Sequence, residues 1–223
     1  FSRAGAEVVL LGRSEDSLSA TSQSISQMNG VVSTIICDLG DPESVTKALS
    51  KIENLNADIV VNNAGMISRQ DALNVSINDW NQVLQTNVTS LFQISQAAAR
   101  SMSKKNEGRI INIASLLSFQ GGIRVTAYAA SKHAVAGLTK ALANEWSAFG
   151  INVNAIAPGY IETDNTEALR LDPVRSSAIL DRIPMQRWGV ASDISSVAVF
   201  LAAPASRYVS GEIVVVDGGW MAR

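Results

Sequence analysis

Short apolar runs alternate with longer amphipathic ones along the whole chain. "EVVLLG" is followed by "SEDSLSATSQSISQM", "VVSTIICDL" by "DPESVTKALSKI", and "ADIVVNNAG" by "INDWNQVLQTNVTSLFQISQAAARSM". The rhythm continues through "GRIINIAS", the alanine-rich "TAYAASKHAVAGLTKALANEW", "INVNAIAPG", "SDISSVAVFLA" and "GEIVVVDGG". The apolar runs read as strands and the amphipathic ones as helices. Near-continuous apolar strands such as "ADIVV" and "RIINIA" predict burial on both faces. Strand and helix in steady alternation predict an α/β fold, a doubly wound parallel sheet in a three-layer α/β/α sandwich.

Local signals sharpen several boundaries. "FSRAGAEVVLLGR" predicts the end of a helix, a turn at Gly5 and a strand from about Val8 to Leu11. Asp41 before Pro42 predicts an N-cap with proline at the first helical position, and Glu43 sits at the favourable end of the helix dipole. Ser192 before Asp193 predicts a second start of this kind. The stretch from Pro158 to Trp188 mixes helix formers with breakers. It follows the carboxyl end of a predicted strand, where ligands sit in open α/β sheets, and predicts a substrate lid over 158–188. There is no internal repeat or linker, so residues 1–223 are expected to form a single domain.

Composition narrows the function classes. The chain is 47% hydrophobic and 17% charged, as a folded protein with a substantial core requires. A formal net charge of -2 supplies no field for nucleic acid or anionic membrane, and neither is an expected partner. No apolar run has the length of a membrane span. The lone cysteine, Cys37, permits no internal disulfide or metal cluster, lies in an apolar run, and is expected to be buried. A reducing, cytoplasmic compartment is the expectation.

Chemistry gathers at the ends of the predicted strands. "NNAG" closes one, with a glycine that permits close backbone approach to a ligand and asparagines able to tie neighbouring segments. "NIAS" places Ser115 just past the next, and "APGYIET" places a Pro-Gly turn and Thr163 past another. In a parallel sheet these loops line one crevice. On the following helix Tyr128 and Lys132 lie one turn apart on a shared face. The only histidine, His133, points to another face and is read as structural or exposed. Ser118 is a local competitor of Ser115, and the spacing to Tyr128 favours Ser115.

Asp38 in "CDL", "NNAG", Asn87 in "QTNVTSLF", Ser115 in "NIAS", "YAASK" and "APGYIET" stand in the order and spacing of the short-chain dehydrogenase/reductase family, which this chain resembles throughout its length. The resemblance implies a Rossmann-type sheet and an NAD(P)-dependent oxidoreductase. Tyr128 would be the general acid or base, Lys132 would favour its phenolate and hold the nicotinamide ribose, and Ser115 would hold the substrate oxygen. Asn87 would anchor a water linking Lys132 to solvent. As alternatives, Ser115 would cap a loop and Asn87 would be a helix residue bonded to backbone.

For the cofactor, the resemblance implies that Asp38, followed by Leu39, meets the adenine, that Asn63, Ala64 and Gly65 pack along the adenosine, and that Ile161 and Thr163 hold the carboxamide and pyrophosphate. Gly12 stands where NAD-preferring members often carry an acid. The adjacent Arg13 is suited to a 2′-phosphate, which tilts the expectation from NAD toward NADP. The family's Gly-rich phosphate turn does not occur in the chain. The expectation is that roughly 30 residues, a central strand with its turn and helix, precede Phe1, and that this piece alone lacks activity or independent stability.

The segments around "SLLSFQGGIRV", "APGYIETDNTEALRLDPVRSS" and "VDGGWMAR" resemble members acting on sugar acids such as 2-deoxy-D-gluconate, a group usually associated with NAD. A sugar-acid carboxylate suits a guanidinium fork, for which Arg69, Arg124, Arg170 and Arg175 are candidates. The alternatives are a 3-oxoacyl carrier-protein reductase or general carbonyl reductase and, from another class, a non-catalytic binding or assembly module. The resemblance also implies a homotetramer, with "VDGGWMAR" at a subunit interface or beside a neighbour's site.

Overall fold

The structure, a computed structural model, describes residues 1–223. Six strands alternate with helices: β1 (Val8–Gly12), α1 (Glu15–Gln27), β2 (Val32–Ile36), α2 (Pro42–Asn54), β3 (Ile59–Asn62), α3 (Ile77–Leu84), α4 (Ser90–Lys105) and β4 (Gly108–Ile113). Then follow α5 (Thr126–Trp146), β5 (Ile151–Pro158), the short α6 (Glu167–Arg170), α7 (Pro173–Leu180), α8 (Ala191–Ala202) and β6 (Ile213–Val216). Every strand pairing is parallel. The ladder is in two parts, β1-β2 and β3-β4-β5-β6. The expected strand near Val8 runs one residue further, to Gly12, after a left-handed turn at Gly5 (φ 92°).

The central strands β4 and β5 are buried on both faces, as their lack of alternation predicts, whereas β1 and β3 are half-buried and β2 leaves Ile36 exposed. On β4, Ile110 packs with Val45, Ala48 and Ile52 of α2 and with Met102 of α4. The next residue, Ile111, packs on the opposite face against Ala198 and Leu201 of α8. Strand β5 divides the same way: Ile151 and Val153 face the first core, and Ile156 faces α8. Burying a side chain of this size contributes about 1.5–3 kcal/mol, so the central pair β4-β5 carries much of the stability.

Asp41 caps α2 as expected, accepting the Glu43 and Ser44 N–H groups at 3.1 and 3.3 Å. The expected start at Ser192 is corrected: α8 begins at Ala191 with Val190 as its N-cap. Asp193 in the first turn accepts the Val190 N–H at 2.8 Å and receives both Arg187 guanidinium nitrogens at 2.8 and 3.0 Å. That fork holds the Asp193 carboxyl at about 2, the hydrogen bonds to the ionised form being the cause. No helix is long and apolar enough to cross a membrane. Cys37 is fully buried just past β2, where burial pushes its thiol pKa up.

Candidate active site

Parallel pairing brings the carboxyl ends of β3, β4 and β5 to one edge, with Asn62 beside Asn112 and Ile113 beside Ile156. A buried polar chain locks that edge. Asn62 Nδ2 donates to Asn112 Oδ1 at 2.8 Å and to Ser95 Oγ at 2.9 Å. Asn112 Nδ2 donates to Thr139 Oγ1 at 3.0 Å, and the Thr139 hydroxyl donates to the Val135 carbonyl at 2.8 Å. The chain joins β3 and β4 to both α4 and α5, which pack on the same face of the sheet. Satisfied networks of this kind rigidify what they connect.

The polypeptide passes from α3 to α4 through a π turn, Gln85–Thr89, with Asn87 inside it. Such bulges open the regular helix ladder and concentrate at functional sites. The Asn87 side chain is 2% exposed, and both donors of its amide are taken. Its Nδ2 donates to the Met66 carbonyl at 2.9 Å and to Ser131 Oγ at 3.0 Å, and its Oδ1 accepts the Met66 N–H at 2.8 Å. The loop after β3 is thereby fastened to α5 one residue before Lys132.

Tyr128 is half-buried and Lys132 is 5% exposed on the first turns of α5. Lys132 Nζ donates to the Ile113 carbonyl at 2.6 Å and lies 5.5 Å from the centroid of the Tyr128 ring. Burial without a carboxylate partner lowers the Lys132 pKa to about 8. Burial also raises the Tyr128 pKa, an effect opposed first by the Ser115 hydroxyl and then by the charge of Arg69. Perturbed groups gathered at a strand-end crevice mark a functional site.

The two serines divide their tasks. Ser118 is 6% exposed and its hydroxyl donates to the Lys132 carbonyl at 2.7 Å, fixing the helix. Ser115 Oγ accepts the Leu117 N–H at 3.2 Å and stands by the phenol. It therefore caps its turn and also meets the tyrosine. His133 is exposed, its ring nitrogen 3.0 Å from the Ala129 carbonyl, as expected.

The loop Asn63, Ala64 and Gly65 is exposed along the same edge. A Cβ added at Gly65 would lie 3.4 Å from Asn87 Oδ1 and 3.8 Å from Lys132 Nζ, so this backbone runs against the lysine. Asp38 Oδ1 accepts the Gly40 N–H at 2.9 Å, and the Leu39 carbonyl accepts the Ser90 hydroxyl at 2.6 Å. Arg13 is exposed between β1 and α1 and forms no ion pair. Ile161 is 9% exposed and bridges to Gly189, while the Thr163 N–H donates to Thr166 Oγ1 at 3.1 Å.

The four arginines separate. Arg69 reaches from the loop after β3 to the Asn165 carbonyl at 2.9 Å and acts on Tyr128. The Arg170 Nε is buried without a partner, and its Nη2 lies 3.5 Å from the Thr163 carbonyl. Arg124 has a left-handed backbone (φ 63°), and its Nε pairs with Asp71 at 3.3 Å. Arg175 is exposed on α7 and, after Arg182, opposes the upward pKa shift that burial gives Tyr160.

Sequence reasoning missed an aromatic cluster beneath α7. Tyr160 stands edge-on to Trp188 at 5.6 Å and tilted to Trp220 at 4.7 Å, and the Arg182 guanidinium lies 3.9 Å above the Trp220 ring. Trp220 is 5% exposed and packs with Leu116, Ile179 and Ile183. In this chain the "VDGGWMAR" tail thus seats its tryptophan on its own fold, beside the turn that carries Ser115. The signal available was the aromatic at the end of a glycine pair.

A family model described as "Enoyl-(Acyl carrier protein) reductase" matches residues 1–221. The chain belongs to the short-chain dehydrogenase/reductase family. A 2-dehydro-3-deoxy-D-gluconate 5-dehydrogenase from Bacillus subtilis (strain 168) is 53% identical over 99% of this chain and 87% of its own length. A crystal structure from Agrobacterium tumefaciens with bound NADP has a TM-score of 0.94 and 52% identity, covering 100% of this chain and 89% of that one. A gluconate 5-dehydrogenase from Burkholderia cenocepacia J2315, in complex with NADP and tartrate, has a TM-score of 0.93 and 33% identity, covering 100% and 88%. For a short-chain dehydrogenase/reductase, a tyrosine, a buried lysine and a serine at one strand edge are the expected constellation.

Proposed function

We propose that this protein is an NAD(P)-dependent oxidoreductase interconverting a hydroxyl and a keto group on a small sugar acid of the 2-dehydro-3-deoxy-D-gluconate or 2-deoxy-D-gluconate type. The observation that carries the reading is Tyr128 beside Ser115, one helical turn from an ammonium buried without a counter-charge. The relatives named above act on sugar acids, and that similarity outweighs the acyl carrier-protein wording of the family description.

The residues present fit a dinucleotide. Lys132 offers donors beyond its bond to Ile113, Gly65 lets backbone lie against it, and Arg13 holds an exposed guanidinium free of carboxylates. When bound, the nicotinamide supplies or accepts the hydride. Asp38, Leu39, Asn63, Ala64 and Gly65 would hold the adenosine side, Ile161 and Thr163 the nicotinamide side, and Lys132 the ribose. Arg13, with Gly12 beside it, favours a 2′-phosphate and hence NADP, in keeping with the NADP-bound relatives.

Ser115 orients the substrate oxygen and Tyr128 exchanges a proton with it. Because burial raises its pKa, Tyr128 keeps its proton at neutral pH and is suited to donate it during reduction of a ketone. Oxidation requires phenolate, and the Ser115 hydroxyl and then the charge of Arg69 oppose the effect of burial on that form. Asn87, in its π turn, anchors the water that connects Lys132 to solvent. Arg69 and Arg170 are placed to meet a carboxylate, and the segment 158–188 acts as the lid. The protein assembles as a homotetramer in the cytoplasm.

Steady-state kinetics test this reading. Reduction of 2-dehydro-3-deoxy-D-gluconate is expected, with no turnover of acetoacetyl thioesters; the reverse pattern would establish the acyl reductase, and no dinucleotide binding a non-catalytic module. Tyr128→Phe should lower kcat by about 100–10,000-fold with cofactor affinity retained. Arg13→Ala should weaken NADPH selectively.

A further inference from the structure

A second cavity opens at the opposite end of the sheet from Tyr128. It has a volume of about 560 Å³ and is lined by Asn106, Glu107, Arg109, Ser147, Asn152 and Arg207, among others. Arg109 begins β4, whose far end leads to Ser115, so the two places are separated by the length of a strand. Its side chain is 8% exposed, yet no carboxylate reaches it. The Nε is buried without a partner, and the only bond from the guanidinium goes to the carbonyl of its own neighbour Gly108, at 2.9 Å.

A buried guanidinium is costly unless a counter-charge and hydrogen-bond acceptors satisfy its donors. Here the protein supplies no counter-charge and a single acceptor, the Gly108 carbonyl. The exposed Arg207 adds a second cation to the lining, also unpaired, against one carboxylate, that of the exposed Glu107. The remaining groups suit a hydroxylated ligand. Asn152 sits beside Arg109 in the strand register and donates to the Arg207 carbonyl at 3.2 Å, and the Ser147 and Ser210 hydroxyls meet at 2.9 Å. Most of the lining residues carry polar or charged side chains, while their apolar stems form the larger part of the wall.

We propose that this cavity is a binding site for a small oxyanion, a carboxylate or phosphate carried by a hydroxylated molecule, with the Arg109 guanidinium as the buried fork and Arg207 as the outer charge. Arg–oxyanion recognition is bidentate and charge-assisted, and the arrangement leaves Arg109 free to provide it. The site is independent of the oxidoreductase reading, because it shares no residue with the catalytic edge.

Calorimetric titration at constant ionic strength, with inorganic phosphate in one arm and D-glycerate in the other, tests the proposal. Wild-type protein should bind at least one of the two probes at this site, and the arm that saturates identifies the anion. Arg109→Met should weaken that binding at least tenfold, whereas Ser115→Ala should leave the Arg109-dependent binding unchanged. Arg207→Ala, at an exposed position that folding does not need, should weaken it severalfold. Binding of neither probe, or equal binding by wild type and both arginine variants, would overturn the proposal.

Discussion

Lys132 shows how one residue trades stability for chemistry. In the folded chain it releases its proton at about 8 instead of 10.5, because burial penalises the ammonium. Between those values the unfolded chain holds more protons than the folded one, so this group makes stability rise with pH from about 8 to 10.5. Lys132→Met should remove that rise: the stability of the variant relative to wild type is expected to fall as pH increases across the window, while catalysis is lost at every pH. Thermal melts at pH 7, 9 and 10.5 check this, and a pH-independent difference would contradict it. Tyr128, Lys132 and Ser115 were identified by the resemblance of their motifs and spacing to the family's. The structure adds the separate task of Ser118, whose hydroxyl is committed to the Lys132 carbonyl across a loop.

Among the elements, the π turn decides the geometry of the site. Asn87 binds both backbone groups of Met66 and the Ser131 hydroxyl, so Asn87→Ala leaves the Met66 N–H and carbonyl without partners, while Ser131 keeps its bond to the Tyr128 carbonyl. A cost of about 2–3 kcal/mol is expected in denaturant unfolding, with the slope on denaturant unchanged. Activity should fall further than stability explains, since the loop after β3 and the lysine lose their common anchor. The motif identified Asn87, but its partners were not legible: Met66 carries no sequence signal, and a π turn departs from the 3.6-residue period only through packing. At α8, the Ser192 signal misled for a related reason, since Arg187 draws Asp193 into the first turn and moves the cap to Val190.

On the scale of the whole molecule, α8 and β6 present Val199, Phe200 and Val215 at 36%, 46% and 38% exposure on a sheet edge with no further strand. Apolar groups left in one region mark an association surface. The tetramer proposed above is expected to use it, and Phe200→Asp should shift the mass measured by light scattering to a smaller species. An unchanged mass would remove this face from the assembly.

The sequence by itself determined the strand-helix alternation, the parallel α/β class, the burial of Cys37 and the positions of Tyr128, Lys132 and Asp41, because each follows from local periodicity or from neighbours within a turn. Only the tertiary structure decided that Arg69 meets the tyrosine while Arg124 is taken by Asp71, that Trp220 folds back beneath α7, and that Arg109 is buried without a counter-ion. Those outcomes depend on which distant segments meet, and the pairing of remote side chains is set by packing across the sheet, which no short stretch of sequence encodes.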